Sequence, residues 1–503
     1  MTKDLYDFII IGSGAGGGTI AHKLAKSGKE ILILERGGFL PREKENWDPA
    51  ALFEQGRYDC GEKWKDRNGK EFVPGTHYFV GGNTKFYGAA LFRLRERDFD
   101  EIEHYGGISP AWPLKYKDFK PYYQEAEELY EVHGKRGEDP IEPSEERPYK
   151  YPAVSHEPYI QKIFDRLKKE GLKPFHLPLG VRLNEKHRET SLCIRCDTCD
   201  GFPCLADAKS DAHHICLAPI LKLPNVHLMT HAKAIKLIAN PAKDKILEVE
   251  VESQGEIKRY KAKTFIVSCG AINSAALLLR SEIGNRSGLV GRNYMCHLNS
   301  AIVALSRHKN PVQFQKTIGV NDFYFGAEDS EYPLGHIQLL GKVKGEMLAG
   351  DAPFFTPQWF LNKMADHAVG WWITSEDLPD LENRVLVDST GQIHLHCQQK
   401  NQEAHRRLYE KLKMILEWTG HHIHHFSSSV YLSKEIPIGG VAHQVGTLRF
   451  GPDPKTSVLD LHCRSHDVEN LYVVDGSFFP SIGAVNPALT IMANALRIGD
   501  HLK

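Results

Sequence analysis

The 503-residue sequence lacks any run of apolar residues that approaches the roughly 18 needed to cross a bilayer. It also lacks an excess of either charge, since 63 Lys and Arg residues balance 64 Asp and Glu residues. A polycationic surface for nucleic acid or for a membrane is therefore not expected. The sequence has neither an internal repeat nor a low-complexity tract, and its 41% hydrophobic and 25% charged residues exclude a disordered or fibrous chain.

The first residues lack the pattern of a secretory signal. The apolar run from Phe8 to Ile11 is only four residues long, and a glycine cluster follows it directly. We therefore expect a cytoplasmic protein, in which the ten cysteines are mostly reduced unless some of them hold a metal. The chain is too long for one ordinary core and is expected to form two or three domains.

The N-terminal segment has the pattern of a βαβ unit. Residues 7–11 and 31–34 are apolar runs typical of strands that are buried on both faces. Residues 19–26 between them are compatible with a helix that ends at Ser27-Gly28. This unit predicts a parallel sheet with a right-handed crossover.

A glycine-rich turn joins the first strand to the helix. In Gly12-x-Gly14-x-x-Gly17 the first glycine permits the tight turn, the second lets the backbone approach a pyrophosphate, and the third lets helix and strand pack closely. Glu35, at the end of the second strand, suits a free ribose 2′-hydroxyl. The motif predicts a bound dinucleotide but does not separate FAD from NAD. The neighbouring residues predicted to line this site are Ser13, Ala15 and Arg36.

Six further segments carry a resemblance that extends from residue 7 to residue 502. They comprise residues 77–84, 267–274, 290–293, 443–447, 470–477 and 486–490. In motif and in order they resemble the glucose–methanol–choline (GMC) oxidoreductases. The Asn-Pro form of the last motif is most similar to the pyranose-oxidase-like, sugar-oxidising branch of that family.

The resemblance implies an α/β fold. A Rossmann-like FAD-binding domain is interleaved with an α+β substrate domain, which is built on a mostly antiparallel sheet with helices. The implied FAD-binding domain comprises residues 1–98, 188–300 and 437–503, and the implied substrate-binding domain comprises residues 99–187 and 301–436. The implied activity is oxidation of a primary or secondary alcohol.

The resemblance also implies how FAD is held. Several family members bond the flavin covalently through a histidine in the flavin loop, where this chain has Phe86. Phenylalanine cannot form that bond, so we expect non-covalent FAD. Beyond the glycine-rich turn, the implied contact residues are Gly81, Gly82, Asn83, Thr84, Ala234, Gly270, Asp475, Gly476, Asn486 and Pro487.

The two catalytic candidates are His443 and Asn486. Hydride leaves an alcohol carbon more easily as the hydroxyl proton departs, so the site needs a base with a pKa of roughly 6–7 and a hydrogen-bonding partner for the oxygen. The resemblance implies His443 as the base and Asn486 as the orienting group, with the hydride passing to flavin N5. A structural alternative exists, because Asn486 before Pro487 is typical of a helix start, and the predicted helix is apolar nearly all round.

Four cysteines, Cys193, Cys196, Cys199 and Cys204, lie close together in the sequence. Their spacing departs from the ferredoxin motif, because the last gap is one residue longer and proline precedes the final cysteine. Zinc usually draws two CxxC pairs from well-separated segments, which is not the pattern here. Three alternatives stay open: an iron–sulfur cluster, as in some GMC glucose dehydrogenases, a zinc site, and thiols or disulfides.

The leading hypothesis is FAD-dependent oxidation of a CH–OH group of a sugar or related alcohol. One alternative is a redox-neutral lyase similar to the hydroxynitrile lyases of the family, and another is a dehydrogenase of choline or a simple alcohol. The sequence leaves open whether O₂ or a redox partner such as a quinone accepts the electrons, and whether the chain forms a homo-oligomer. We expect no nucleic-acid partner and no transmembrane segment.

Overall fold

The computed structural model describes residues 3, 5–143, 146–349, 352–353, 355–419, 422–423, 440 and 442–503, with the backbone alone at 422–423. Its α-helices are α1 Ala15–Ala25, α2 Tyr116–Leu129, α3 Pro158–Lys169, α4 Ala218–Ile220, α5 Ala271–Ser281, α6 Gly345–Ala349, α7 Gln358–Asp366, α8 Gln402–Trp418 and α9 Ala488–Leu502. Within these described ranges, none of the helices combines the length and the apolar character that crossing a bilayer requires.

The strands fall into several sheets, of which a parallel and an antiparallel one are the largest. In chain order the strands are β1 Tyr6–Ile11, β2 Ile31–Leu34, β3 Trp64–Asp66, β4 Glu71–Phe72, β5 Ile102–His104, β6 Gly107–Ser109, β7 Val132–Gly134, β8 Tyr151–Pro152, β9 Phe175–His176, β10 Leu179–Gly180, β11 Val226–Met229, β12 Lys233–Ala239, β13 Ile246–Ser253, β14 Glu256–Tyr260, β15 Ala262–Val267, β16 Met295–Cys296, β17 Leu298–Leu305, β18 Ile318–Val320, β19 His336–Leu339, β20 Ala368–Ser375, β21 Arg384–Val387, β22 Ile393–His396, β23 His422–Ile423, β24 Gln444–Val445 and β25 Leu471–Val473.

The parallel sheet forms the first layer of the core. Its strands lie in the order β11-β2-β1-β15-β25, and each neighbouring pair is parallel. Every residue of β2 and β25 is buried, as expected for strands covered on both faces. The predicted βαβ unit is confirmed by β1, α1 and β2. Helix α1 begins four residues earlier than the sequence indicates, because glycines at its start hide it from any apolar pattern.

The C-terminal helix α9 packs beside α1 and α2. Leu489 and Ile498 are both fully buried although, nine residues apart, they lie on opposite sides of the helix. This confirms the prediction of a helix that is apolar nearly all round. The amino end of α9 lies near the end of the last parallel strand, since the side chain of Ile491 is 3.5 Å from the position that a Cβ on Gly476 would take.

The antiparallel sheet forms the second layer. Its strands lie in the order β23-β17-β20-β19-β18-β9, and each neighbouring pair is antiparallel. Buried side chains of α3 and α8 share a core with β19 and β20, including Phe164, Leu408 and Trp371. The predicted α/β fold class is thereby confirmed. The domain bounds stay predictions, and the one between residues 436 and 437 falls outside the described residues.

Two short strands connect the layers. β16 runs directly into β17 of the antiparallel sheet, and it pairs with β24, where Cys296 lies opposite Gln444. Residues 295–297 and 443–445 are therefore held together by backbone hydrogen bonds. The segment 483–487, which precedes α9, reaches the same place through side-chain contacts. This junction holds the two catalytic candidates.

The parallel sheet yields a stability prediction. Ile10 is fully buried in the central strand β1, whereas Ile257 in β14 is 63% exposed. Replacing Ile10 by Ala is expected to lower the free energy of unfolding by about 2–5 kcal/mol, and the matched change Ile257→Ala by less than about 0.5 kcal/mol. Chemical denaturation of the two variants measures the difference. Equal losses would contradict the assignment of β1 to the core.

Candidate active site

The glycine-rich turn has the backbone contacts that its motif predicts. Gly12 has a φ of +100°, and a Cβ there would lie 2.2 Å from the carbonyl oxygen of Ser268. A Cβ on Gly17 would lie 2.0 Å from the carbonyl oxygen of Gly12. A Cβ on Gly14, in contrast, would meet no atom within 4 Å. Close backbone packing within the protein therefore requires glycine at positions 12 and 17, whereas Gly14 faces open space.

The open space beside Gly14 lies at the amino end of α1, which runs from Ala15. Gly14 precedes the helix and carries no side chain that could cap it, and the first turn holds no acidic residue. The first N–H groups of a helix lack partners within the helix and attract anions. A phosphate group of a dinucleotide fits this position by charge and by the available space.

Glu35 ties the turn to the end of β2. Its carboxylate accepts hydrogen bonds from the backbone N–H of Ser13 at 3.1 Å, the hydroxyl of Ser13 at 2.5 Å and the N–H of Gly37 at 3.0 Å. Burial raises the pKa of Glu35. A carboxylate offers about four acceptor positions, so room for one ribose hydroxyl is left. The predicted cofactor ligand is thus also a structural brace of the glycine-rich turn.

Arg36 belongs to a polar cluster that the sequence did not indicate. Its guanidinium carbon lies 3.6 Å from the ring centre of Tyr78, and the group is paired with Glu62. Tyr78 donates to Glu62 at 2.7 Å, and Lys233 approaches the same carboxylate at 3.4 Å. Burial would raise the pKa of Glu62, but the bond to Arg36 and its charge lower it to about 2. Ala234, predicted to face the adenine, follows Lys233 and is half-buried beside this cluster.

The second glycine loop lies directly on the first. Gly81 donates to the Ser13 hydroxyl at 3.1 Å, and a Cβ on Gly82 would lie 3.1 Å from the Cα of Gly14. Asn83 accepts a hydrogen bond from the N–H of residue 77 at 2.8 Å, and the Thr84 hydroxyl donates to the carbonyl of Gly81 at 2.5 Å. Asn83 and Thr84 therefore hold the loop in shape, and the loop closes over the glycine-rich turn.

Asp475 joins the ends of two neighbouring parallel strands. Its carboxylate accepts from the N–H of Gly270 at 3.0 Å and the N–H of Ser477 at 2.9 Å, and from the hydroxyls of Ser274 and Ser477. Burial raises the pKa of Asp475. A Cβ on Gly270 would meet no atom within 4 Å, whereas one on Gly476 would lie 2.8 Å from the carbonyl of residue 444. Gly270 thus borders open space, and Gly476 permits a close backbone approach.

His443 and Asn486, forty-three positions apart, meet at the junction of the two layers. The Asn486 Nδ2 lies 3.3 Å from the His443 Nε2. Helix α9 begins at Ala488, and the carbonyl of Pro487 accepts its first hydrogen bond, from Ile491. Asn486 therefore lies just outside the helix, and its amide contacts His443. The structure thus brings the two predicted catalytic residues together.

A third residue, His297, completes this arrangement and was missed by the sequence reasoning. It is fully buried, and its Nε2 lies 2.9 Å from the carbonyl oxygen of Gly483. Its Nδ1 lies 2.9 Å from the Nδ1 of His443. Nothing in its spacing distinguishes it among 26 histidines. Its place four residues after the motif 290–293 is the one signal that could have drawn attention to it.

Hydrogen-bond chemistry assigns the tautomers of both histidines. A carbonyl only accepts, so the His297 Nε2 carries the proton, and the Nδ1 of a neutral His297 must then accept. His443 consequently donates from Nδ1, and its Nε2 holds a lone pair directed toward Asn486. This orientation leaves the Nε2 of His443 as the atom able to take a proton.

Burial controls the charge of this pair. Desolvation, followed by the charge of Lys316, lowers the pKa of His443 to about 4. Desolvation and the neighbouring His443 hold the pKa of His297 well below its usual range. The pKa of His443 thus lies below the 6–7 that we expected for a base, because burial penalises the charged ring. Both rings are neutral at physiological pH.

The four clustered cysteines lie in the loop around residues 193–204. All four are half-buried and none is in a disulfide. Burial raises the pKa of Cys193 to about 11 and that of Cys199 to about 12. The loop is joined to the second layer by Asp200, which pairs with Lys316 and accepts from the N–H of Gly341 at 2.6 Å.

Comparison with known families agrees with the fold. A family model described as GMC oxidoreductase matches residues 6–299, and a second with the same description matches residues 389–495. The chain therefore belongs to the GMC oxidoreductases, flavoproteins that oxidise CH–OH groups. The expected family and enzyme class are confirmed, while the pyranose-oxidase-like branch stays a prediction.

Individual proteins are similar over nearly the whole chain. The chain is 31% identical to 6‴-hydroxyparomomycin C oxidase of Streptomyces lividus, over 99% of this chain and 92% of that protein. It is 30% identical to paromamine 6′-oxidase of Streptomyces fradiae, over 98% of this chain and 90% of that protein. The solved structure of pyridoxine 4-oxidase from Mesorbium loti has a TM-score of 0.70 at 17% identity and covers 99% of both chains. This likeness confirms the fold.

The space at Gly14 generates a second prediction. Gly14→Ala should leave the thermal stability of the cofactor-free protein unchanged, because the added methyl group meets no protein atom. It should weaken FAD binding roughly tenfold or more, since backbone approach to the pyrophosphate is lost. Titration of the cofactor-free protein with FAD, followed by flavin fluorescence, measures this loss. Ser27→Ala near the far end of α1 is the control, and unchanged affinity in Gly14→Ala would contradict the assigned position of the phosphates.

Proposed function

We propose that this protein catalyses the FAD-dependent oxidation of a CH–OH group of a sugar or related alcohol to the carbonyl. The observation that carries the proposal is the contact between His443 and Asn486, with the tautomer of His443 set by His297. A lone pair that can take a proton, in contact with an amide donor that can hold an oxygen, is what a hydroxyl group about to lose its proton requires.

FAD fits the residues around the two glycine loops. The open amino end of α1 suits the pyrophosphate, and the remaining acceptor position on Glu35 suits a ribose hydroxyl. Gly270 leaves space beside Asp475, where the resemblance implies the ribityl and pyrophosphate contacts. Phe86 stacks on His77, with ring centres 3.8 Å apart, and offers no nucleophile. These features support non-covalent FAD, which when bound would accept the hydride at N5.

His443 acts as the general base in this proposal. Its Nε2 takes the proton of the substrate hydroxyl, and the ring then carries a positive charge. The Nδ1–H of that charged ring keeps its hydrogen bond to the Nδ1 of His297, which is strengthened when the donor is ionised. His297 is a positioning residue, because it acts on the substrate only through His443.

Asn486 orients the substrate oxygen. Its Nδ2 already donates toward the His443 Nε2. When a substrate hydroxyl enters between the two side chains, the His443 Nε2 accepts from that hydroxyl in place of the Asn486 amide. The amino end of α9 begins two residues later and holds no acidic residue in its first turn. Its positive end favours negative charge that develops on an oxygen at this point.

The substrate class is proposed from the relatives. Two relatives at 30% identity or more are named as oxidases of paromamine and of 6‴-hydroxyparomomycin C. We therefore place sugars and amino sugars first, in agreement with a sugar-oxidising branch of the family. A cytoplasmic location, the domain bounds and the choice between O₂ and a redox partner stay proposals, as do the three alternatives for the four clustered cysteines.

Anaerobic flavin bleaching tests the proposed reaction. Sugars, amino sugars and simple alcohols are added in turn to the FAD-loaded protein, and at least one sugar is expected to abolish the oxidised-flavin absorbance. His443→Ala should slow bleaching by about 10²–10⁴-fold, while the exposed His187→Ala should not change it. A lyase would release an aldehyde with the flavin still oxidised. Failure of every alcohol to bleach the flavin would reject the proposal.

The role of His297 generates a separate prediction. His297→Ala removes a hydrogen bond to a ring that becomes charged, which is worth about 1.5–3 kcal/mol. The rate constant of flavin reduction should therefore fall roughly ten- to hundredfold, with little change in KM. His297→Gln should restore part of the rate, because its amide can accept from His443 and donate to the Gly483 carbonyl. Equal effects of Ala and Gln, or a change confined to KM, would contradict a positioning role.

A further inference from the structure

Two further cysteines, outside the four-cysteine loop, meet next to His297. Cys296 lies in β16 and is buried, and Cys397 follows β22 and is half-buried. Their sulfur atoms are 3.6 Å apart. A disulfide requires about 2.05 Å, whereas two thiolates on one tetrahedral Zn²⁺ with Zn–S of about 2.3 Å lie about 3.8 Å apart. The observed separation is thus close to that of two ligands of one metal ion.

Asp377 supplies a third ligand atom in the same place. It follows β20, is fully buried, and has a carboxylate oxygen within 4.8 Å of both sulfur atoms. Its Oδ1 accepts from the N–H of Lys400 at 2.9 Å, whereas its Oδ2 is buried and has no hydrogen-bond partner in the described part of the chain. A buried carboxylate oxygen without a partner is costly unless a proton or a cation occupies it.

The charges around the cluster favour a cation. Asp377 is adjacent to a second buried carboxylate, Glu376. The hydroxyl of Tyr294 is buried beside the same groups. Two thiols, a carboxyl group and a phenol, each able to give up a proton, are therefore gathered in one place. A divalent cation would neutralise two of them and let both thiols ionise.

We propose that Cys296, Cys397 and Asp377 form a binding site for a thiophilic divalent cation, with Zn²⁺ as the best-fitting ion. Two thiolates and one carboxylate are ligands that Zn²⁺ accepts in tetrahedral sites, and the hydroxyl of Tyr294 is a neighbouring oxygen donor for the fourth position. Gln399 donates to the Cys296 sulfur at 3.6 Å and to the carbonyl of His297 at 3.2 Å. This amide connects the site to the histidine pair.

The position of the site indicates how a bound ion would affect the histidine pair. Cys296 directly precedes His297, and it lies opposite Gln444, which directly follows His443, in the β16–β24 ladder. Cys397 and Asp377 come from the ends of β22 and β20. A bound ion would join these strand ends to the ladder and hold His297 against His443. The metal would therefore act on catalysis through position, and it would have no contact with the substrate.

Metal analysis of the FAD-loaded protein tests the proposal. After Zn²⁺ is offered and the excess is removed, zinc and iron are measured per chain in wild type, Cys397→Ser, Asp377→Asn and the control Cys216→Ser, a buried thiol elsewhere. We expect one Zn²⁺ per chain to be lost in Cys397→Ser, affinity to fall at least tenfold in Asp377→Asn, and no change in Cys216→Ser. Cys196→Ser should also retain this ion, which separates the site from the four-cysteine loop.

If a variant folds poorly, a spectroscopic measurement on the wild-type protein still tests the proposal. Co²⁺ added to the wild-type protein should give intense tetrahedral d–d bands at wavelengths longer than the flavin absorbance, and Zn²⁺ should abolish them. Equal zinc content in wild type, Cys397→Ser and Asp377→Asn would overturn the proposal. A disulfide-linked peptide pair containing residues 296 and 397, found by mass spectrometry without reduction, would overturn it as well.

Discussion

The structure depends on one buried hydrogen bond between two imidazole rings. The Nδ1 of His297 accepts a hydrogen bond from the Nδ1–H of His443, with the two nitrogen atoms 2.9 Å apart. The carbonyl of Gly483 fixes the tautomer of His297 from the other side of the ring. Desolvation keeps both rings neutral. The carbonyl of Gly483, which can only accept, therefore determines the direction of both hydrogen bonds. The base that faces Asn486 is therefore oriented by groups that never touch a substrate.

Distant parts of the chain are needed to build this arrangement. The β16–β24 ladder brings residues 295–297 beside residues 443–445, and Gly483 lies in a backbone conformation with a φ of +63° that glycine adopts readily. Its N–H is held by Glu376 at 3.1 Å. The parallel sheet places the cofactor loops at the neighbouring edge. The two layers thus meet where proton removal and hydride acceptance would have to coincide.

Local patterns were sufficient to predict much of the fold and part of the site. The βαβ unit, the glycine-rich turn and the buried C-terminal helix are each encoded within a short window. The start of helix α2 is not evident from local patterns, because Pro121 lies within its first turns; the carboxylate of Asp118 there accepts from the N–H of Lys115 at 2.9 Å. His297, Glu62 and the Cys296–Cys397 pair could not be predicted, since their partners are distant in sequence and are brought close only by the ladder and the sheets.

The central claim concerns the position of a proton, which neutron diffraction of the FAD-loaded protein would show directly. The account predicts a deuteron on the Nδ1 of His443, directed at the Nδ1 of His297, and none on the Nε2 that faces Asn486. It also predicts a deuteron on the His297 Nε2, directed at the carbonyl of Gly483. A deuteron on the His443 Nε2 in the unliganded site at neutral pH would contradict the assignment of that atom as the base.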